Sequence, residues 1–263
     1  LYSKTNVYWL SQGTKKQAID PKTEAFAAQG TSLADYEATA RLDKDEYYRT
    51  LLPEDASTED HWFLTGTLYA GKSVSFTVNC SQPVAGKPAT LQAMLRSYAT
   101  ESPASHLKIG VNGVQVGEYK WNGAKRFLAQ ATIPANVLVD GANTVTLTSF
   151  GDTKALVEAT YTDWIEIKHR RPFAAQNGAL RFKAESTGQV TITGLASTDL
   201  LAVCEDSAGQ QSRIRKLNTS AGQAQFAVAA GKTYAVSEVA SLTAPNRLQP
   251  VDAPRDATKN QCQ

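Results

Sequence analysis

The feature that most constrains this chain is a long series of short runs in which apolar and polar residues alternate. From His61 onward, "WFLTGTLYAG", "SVSFTVNC", "ATLQAMLRSYA", "HLKIGVNGVQVGEYKW", "KRFLAQATIP", "NTVTLTSF" and "LVEATYTDWIEI" follow one another. Gly, Pro, Asn and Asp turns separate them at roughly the 8–12-residue interval of a β-sandwich. Successive side chains on a strand point to opposite faces, so each run has one face for a core and one for water. In "SVSFTVNC" this puts Val74, Phe76, Val78 and Cys80 on one face, which makes Cys80 a core thiol. Asn112-Gly113, between "KIGV" and "VQVG", is the strongest hairpin signal, because both residues tolerate the positive φ of a type I′ turn. Asp140-Gly141 supplies a second turn, before Val145 and Leu147 go inward.

After Arg171-Pro172 the pattern restarts. "GALRFKAE", "GQVTITGL", "LLAVCEDSAG", "QQSRIRKLN" and "AQFAVAAGKTYAVSEV" give five or six further strands in about 75 residues, the size of a small immunoglobulin-like sandwich. The first 60 residues are less regular. "NVYWLSQG" reads as one short strand. Further on, a helical turn around Asp43 to Leu52 competes with strand pairing of "DYEATARL". The segment from Ser241, "SLTAPNRLQPVDAPRDATKNQCQ", is proline-bearing, poor in apolar residues and reads as a linker.

Charge and cysteine usage remove several function classes. The 263 residues carry 27 Lys and Arg against 25 Asp and Glu, a net charge of +2, which gives no reason to expect nucleic acid or an anionic membrane as partner. No apolar run approaches the roughly 20 residues of a membrane helix. The opening "LYSKTNVYWL" has neither Met nor a signal-peptide pattern, so the chain is expected to begin mid-sequence. Cys80, Cys204 and Cys262 are far apart with no CxxC or Cys/His ligand spacing, which leaves one disulfide or three free thiols open. The sequons at Asn79 and Asn218 are expected to be chance occurrences.

Chemistry-bearing motifs are missing. His61, His106 and His169 lie at strand edges without a Cys or carboxylate at nucleophile or metal spacing, and no GxSxG, HExxH, phosphate loop or dinucleotide fingerprint occurs. No catalytic residue and no cofactor are therefore expected. The carboxylates of "DTKALVEATYTD" offer hard oxygens to calcium, without the loop spacing of a calcium motif. Binding candidates are aromatic: Trp121, beside the polar turn in "EYKWNGAK", then Tyr119 and Trp62. Core packing competes for Trp62, and capping of a hairpin edge for Tyr119 and Trp121.

The stretch "EATYTDWIEIKHRRPF" sets a question of its own. Read as a strand, it places Val157, Ala159, Tyr161, Asp163, Ile165 and Ile167 on one face and Thr160, Thr162, Trp164 and Glu166 on the other. A carboxylate thus sits among apolar residues and a tryptophan on the wet side. We expect Trp164 to pack at the junction between the sandwiches, with Arg171 nearby, and Asp163 to accept hydrogen bonds from a neighbouring turn or strand end.

Several stretches taken together resemble one family. "NVYWLSQG", "YEATARLDKDEYYRTL", "EDHWFLTGTL", "HLKIGVNGVQVGEYKWNG", "VLVDGANTVTLTSF" and "YTDWIEIKHRRPFAAQNGALRF" are similar, in the same order, to the region preceding the catalytic domain in gingipain-type cysteine peptidases and related secretion sortases. The resemblance covers about residues 1–245. It implies an all-β fold, a jelly-roll-like β-sandwich followed by a small immunoglobulin-like β-sandwich. The expected division is an irregular segment at 1–60 packing on the first sandwich, that sandwich at 61–171, the second at 172–242 and a linker at 243–263. It also implies a non-catalytic accessory region of an exported, bacterial, secreted or cell-surface protein, with a peptidase domain or another protein as partner. That domain would begin where the sequence stops. The rival readings are a carbohydrate-binding module, with a glycan as partner, and a self-associating surface or adhesin component.

Overall fold

The computed structural model describes residues 31–50, 60–214, 217–220 and 222–242. The chain is nearly all β, in antiparallel sheets that form a jelly-roll-like sandwich followed by a smaller immunoglobulin-like one. The segment "NVYWLSQG", the residues from 243 on and Cys262 lie outside the described residues.

The first sandwich uses β1 (Asp35–Asp43), β4 (Leu68–Tyr69), β5 (Ser73–Cys80), β6 (Ala89–Ser97), β7 (Ser105–Val111), β8 (Val114–Trp121), β9 (Arg126–Ile133), β10 (Gly141–Ser149) and β11 (Ala159–Pro172). One sheet runs β1-β11-β6-β9 with β4 on the edge of β11, and the other β5-β10-β7-β8. A short pair, β2 (Tyr47–Tyr48) with β3 (Trp62–Phe63), lies outside both. The inward faces share one core: Leu91, Leu95, Ile165 and Ile167 from one sheet meet Val78, Ile109, Val145 and Leu147 from the other. Cys80 is in that core as a free thiol, and burial pushes its pKa up to about 11, outside nucleophile range. The β7–β8 hairpin turns at Asn112 and Gly113, with φ of 48° and 83°.

The second unit packs β12 (Ala179–Lys183), β18 (Thr233–Glu238), β14 (Leu200–Glu205) and β15 (Gln211–Ile214) in one sheet. Its other sheet is β13 (Gly188–Thr193), β17 (Gln223–Val228) and β16 (Asn218–Ser220). Phe182, Val190, Ile192, Phe226 and Tyr234 fill its core, together with Cys204.

Two local outcomes refine the sequence reading. Of the competing readings of "DYEATARL", the strand is the one that forms. As β1 it pairs with β11 along its whole length, from Asp35↔Pro172 to Asp43↔Trp164. Its period of two aims Tyr36 and Ala38 at the second core and Ala40 and Leu42 at the first. The helical turn expected around Asp43 to Leu52 does not form over its described part, where Tyr47–Tyr48 is a short strand instead. Secondly, β11 does not simply alternate. Ala159 to Asp163 are all buried, because β4, the β3 end and β7 cover the face expected to be wet. Leu64 N–H donates to the Thr162 carbonyl at 2.8 Å, and the Ser105 and Thr160 hydroxyls meet at 3.0 Å. A β-bulge between Thr162 and Trp164 resets the phase, after which Ile165, Ile167 and His169 point inward.

Candidate functional site

The place where the two cores meet is the most heavily built feature of the molecule. Both β1 and β11 cross it. Tyr36 of β1 stacks on Phe173 at 5.2 Å and tilts against Phe182 at 5.6 Å, and Phe182 stacks in turn on Tyr234. Arg171 donates to the Tyr36 hydroxyl and to the Ala174 carbonyl, each at 3.0 Å. Burial raises the Tyr36 pKa and the Arg171 charge only partly offsets this, so the hydroxyl stays protonated.

Beside this aromatic stack lies a charged clasp centred on Arg170. Its guanidinium donates to the Asp35 carboxylate (2.7 Å) and the Asp35 carbonyl (2.9 Å), and takes both Glu185 oxygens at 2.7 and 2.8 Å. Glu185 also accepts the Glu37 backbone N–H at 2.6 Å. Burial alone would raise the Glu185 pKa, but the Arg170 bonds and the Glu37 N–H hold it below the ordinary carboxylate range. One guanidinium nitrogen, Nη1, holds both Glu185 oxygens while Nε and Nη2 hold Asp35, and such charge-assisted bonds fix orientation as well as adding energy. A backbone stitch completes the seam: Leu33 N–H donates to the Gln189 carbonyl at 2.9 Å and Gln189 N–H to the Thr31 carbonyl at 3.0 Å. Gly188 permits it, since a Cβ there would stand 2.5 Å from the Thr31 oxygen. The arrangement joins the two sandwiches through β1, β11 and the side chains around them.

The residues singled out from the sequence fall in different places. Arg171 is at the seam. Trp164 is not: it lies near the other end of β11, half-buried, with the Arg41 guanidinium 4.1 Å above its ring. Arg41 is held there by Asp43 at 2.9 and 3.0 Å and Glu166 at 3.3 Å. Trp164 faces outward within the first sandwich, as alternation places it, and the ring contacts at the junction are those of Tyr36 with Phe173 and Phe182. Asp163 takes a hydrogen bond from Arg126 at 2.8 Å. Trp121 presents no platform. It is 5% exposed, stacked on Phe127 at 4.6 Å and 4°, and its Nε1–H donates to Ser97 Oγ at 2.9 Å. Tyr119 is half-buried, edge-on to Phe127, with its hydroxyl donating to the Gln130 carbonyl. Trp62 is half-buried and leans on the exposed Tyr48 at 53°, so the two rings are not coplanar.

The carboxylates of the 152–163 segment are each engaged separately. Glu158 is bonded by Ser149 and Thr153, Asp163 by Arg126, and Asp152 by His106 at 2.6 Å. Among the described residues no three His, Cys, Asp or Glu side chains converge as metal ligands do. His106 has no carboxylate partner by sequence spacing. It lies between Asp152 and Glu118 (3.0 Å) and stacks on Phe150 at 4.0 Å, and its hydrogen bond holds the Asp152 pKa down. The signal existed as alternation, since Glu118 stands two residues from Lys120, the partner of His106 across the β7–β8 hairpin, and so on the same face.

Asp163 carries a pH dependence. Burial raises its pKa from 3.8 to about 6, against the pull of Arg126, which is 40% exposed and therefore screened. A carboxyl whose folded pKa lies above its unfolded value binds more protons when folded. Stability from this group is therefore fully present below pH 4 and falls as pH rises through 6. Asp163→Asn is expected to stabilise the protein at pH 7.5 by up to about 2 kcal/mol and to flatten the change between pH 4 and 6. Urea denaturation across that range checks it; an unaltered pH slope in the variant would refute the assignment.

No family model matches this chain, and no curated protein matches it significantly. Solved structures do. Latent dimeric PorU from Porphyromonas gingivalis superposes over 86% of this chain and 22% of its own, with a TM-score of 0.62 and 11% identity. The chain thus spans about a fifth of that protein. A family 36 carbohydrate-binding module in complex with calcium and xylotriose covers 38% of this chain and 77% of its own, at TM-score 0.29 and 20% identity. A family 35 module from Clostridium thermocellum covers 51% and 95%, at 0.29 and 17%. The PorU likeness is one of fold; the two lower scores carry no argument.

Proposed function

We propose that this region is a non-catalytic accessory part of an exported, gingipain-related bacterial protein, and that it acts as a stiff arm presenting or restraining a partner domain through protein contacts. The observation that carries this reading is the seam. A connector that only links two modules would leave them free to move, as small polar interfaces do. Here one strand feeds both cores, an arginine clasps both units and an aromatic stack fills the space between. Such rigidity serves an element that must hold something at a fixed angle. The fold shared with part of PorU supports the context, as does the order of motifs along the chain.

A glycan-binding role for the aromatic candidates has less support, because Trp121 is interior and Tyr48 and Trp62 are not coplanar. Native mass spectrometry of material purified from its source tests the proposal. A covalently continuous or tightly associated peptidase-sized partner is the expected result. A lone chain or a homo-oligomer would overturn it and bring the self-associating surface reading forward.

A further inference from the structure

A second feature of the first sandwich stands apart from the seam's packing. A cleft of about 230 Å3 opens between the loop after β5, the loop before β10 and the last third of β11. Two of its lining residues carry buried polar atoms without a hydrogen-bond partner, Gln82 Oε1 and His169 Nδ1. His169 is only 4% exposed. Its Nε2 lies 3.0 Å from the Ser81 carbonyl oxygen. A carbonyl only accepts, so that nitrogen carries the proton, and in the neutral ring Nδ1 is left as a free acceptor. Buried polar groups are almost always paired, and those that are not call for an occupant.

The loops around the cleft are built rather than slack. Gln82 holds φ at +45° and Asn136 at +66°, backbone conformations that strain a residue with a Cβ. Gln82 N–H is fixed by Asp140 Oδ1 at 2.7 Å, Gly86 N–H by Asn136 Oδ1 at 2.8 Å, and Val84 N–H by the Arg170 carbonyl at 2.9 Å. Strain of this sort persists where the surroundings over-determine it, and it clusters at ligand sites.

The lining defines what would fit. Gln82 Oε1, His169 Nδ1 and the Asp140 carboxylate ask for donors. Pro83, Val84 and Leu138 add apolar wall. Lys87 and Arg170 at the rim offset Asp140, so the cleft does not single out a cation. Its volume equals about seven or eight waters at roughly 30 Å3 each. That is too much for one structural water and too little for an oligosaccharide. We infer that this cleft binds a neutral, hydroxyl-rich molecule of single-ring size, a monosaccharide or cyclitol, through Gln82, His169 and Asp140.

The test uses the whole chain with methyl glycosides and myo-inositol as probes, read by saturation-transfer NMR and by the 15N resonances of the His169 ring. Gln82→Gly is the decisive variant, because glycine relieves the positive φ while removing the amide. The expected result is a probe bound more tightly than about 10 mM, a shifted His169 Nδ1 resonance and at least tenfold weaker binding by Gln82→Gly with no fall in Tm. His169→Phe should lose binding as well. Absence of any binding, with the cleft holding water only, would overturn the inference. So would unchanged affinity in Gln82→Gly. Neither result bears on the arm proposed above, which rests on the seam.

Discussion

Replacing Trp121 by alanine is expected to cost about 3–5 kcal/mol of stability, the range for deleting a large buried aromatic. The indole is interior, lies flat on Phe127 and gives its N–H to Ser97, whose hydroxyl in turn donates to the Gly123 carbonyl at 2.5 Å. Truncation opens a cavity between β8 and β9 and removes one link of a short hydrogen-bonded chain that ties the 122–125 turn to β6. Trp121→Phe keeps the stack and loses only that link, so a cost of about 1 kcal/mol is expected. Chemical denaturation of the two variants measures both numbers. The same pair separates two roles for this residue. A sugar platform would lose binding on truncation and keep its stability, whereas a core residue loses stability first. A near-neutral Trp121→Ala would therefore return the ring to the surface and reopen the glycan reading at this position.

What was legible in the sequence depended on how local the determinant was. Asn112-Gly113 needs only two residues with positive φ, and the turn is where the dipeptide put it. The alternation of Val74, Phe76, Val78 and Cys80 needs only a strand and a core, and the four side chains point inward. Trp121 went unread because a polar turn beside a tryptophan says nothing of Phe127, which reaches it from the next strand. The faces of Thr160 to Asp163 were misassigned through a one-residue irregularity: alternation counts residues, and a bulge adds one without leaving a mark in composition. The seam was the least legible of all. Asp35, Glu185 and Arg170 are ordinary surface residues until the fold brings them together across separations of 135 and 15 positions. "HRRP" did point to a junction, but only the structure divides its labour, with His169 at the cleft, Arg170 in the clasp and Arg171 on the tyrosine.

That division gives the second large expectation. Arg170→Ala should destabilise the protein by about 2–3 kcal/mol, because it strips charge-assisted bonds from Asp35, Glu185 and a backbone carbonyl at once and leaves Asp35 four-fifths buried without its counter-charge. Arg41→Ala is the matched control. It sits on the same β1–β11 ladder with two carboxylates and a ring beneath it, yet its side chain is 39% exposed. Water screens such pairs, and a cost of about 0–1 kcal/mol is expected there. The difference should also show in its location. Hydrogen exchange in Arg170→Ala is expected to rise at 31–38 and 183–190, where β1 enters the second core, while the centres of both cores keep their protection. Thermal unfolding, a single transition for two units that share a strand, should separate into two as the clasp is lost. Should Arg170→Ala behave like Arg41→Ala, with one transition and no local change in exchange, the aromatic stack alone would hold the units, and the stiffness would reside in Tyr36, Phe173 and Phe182 rather than in the charges.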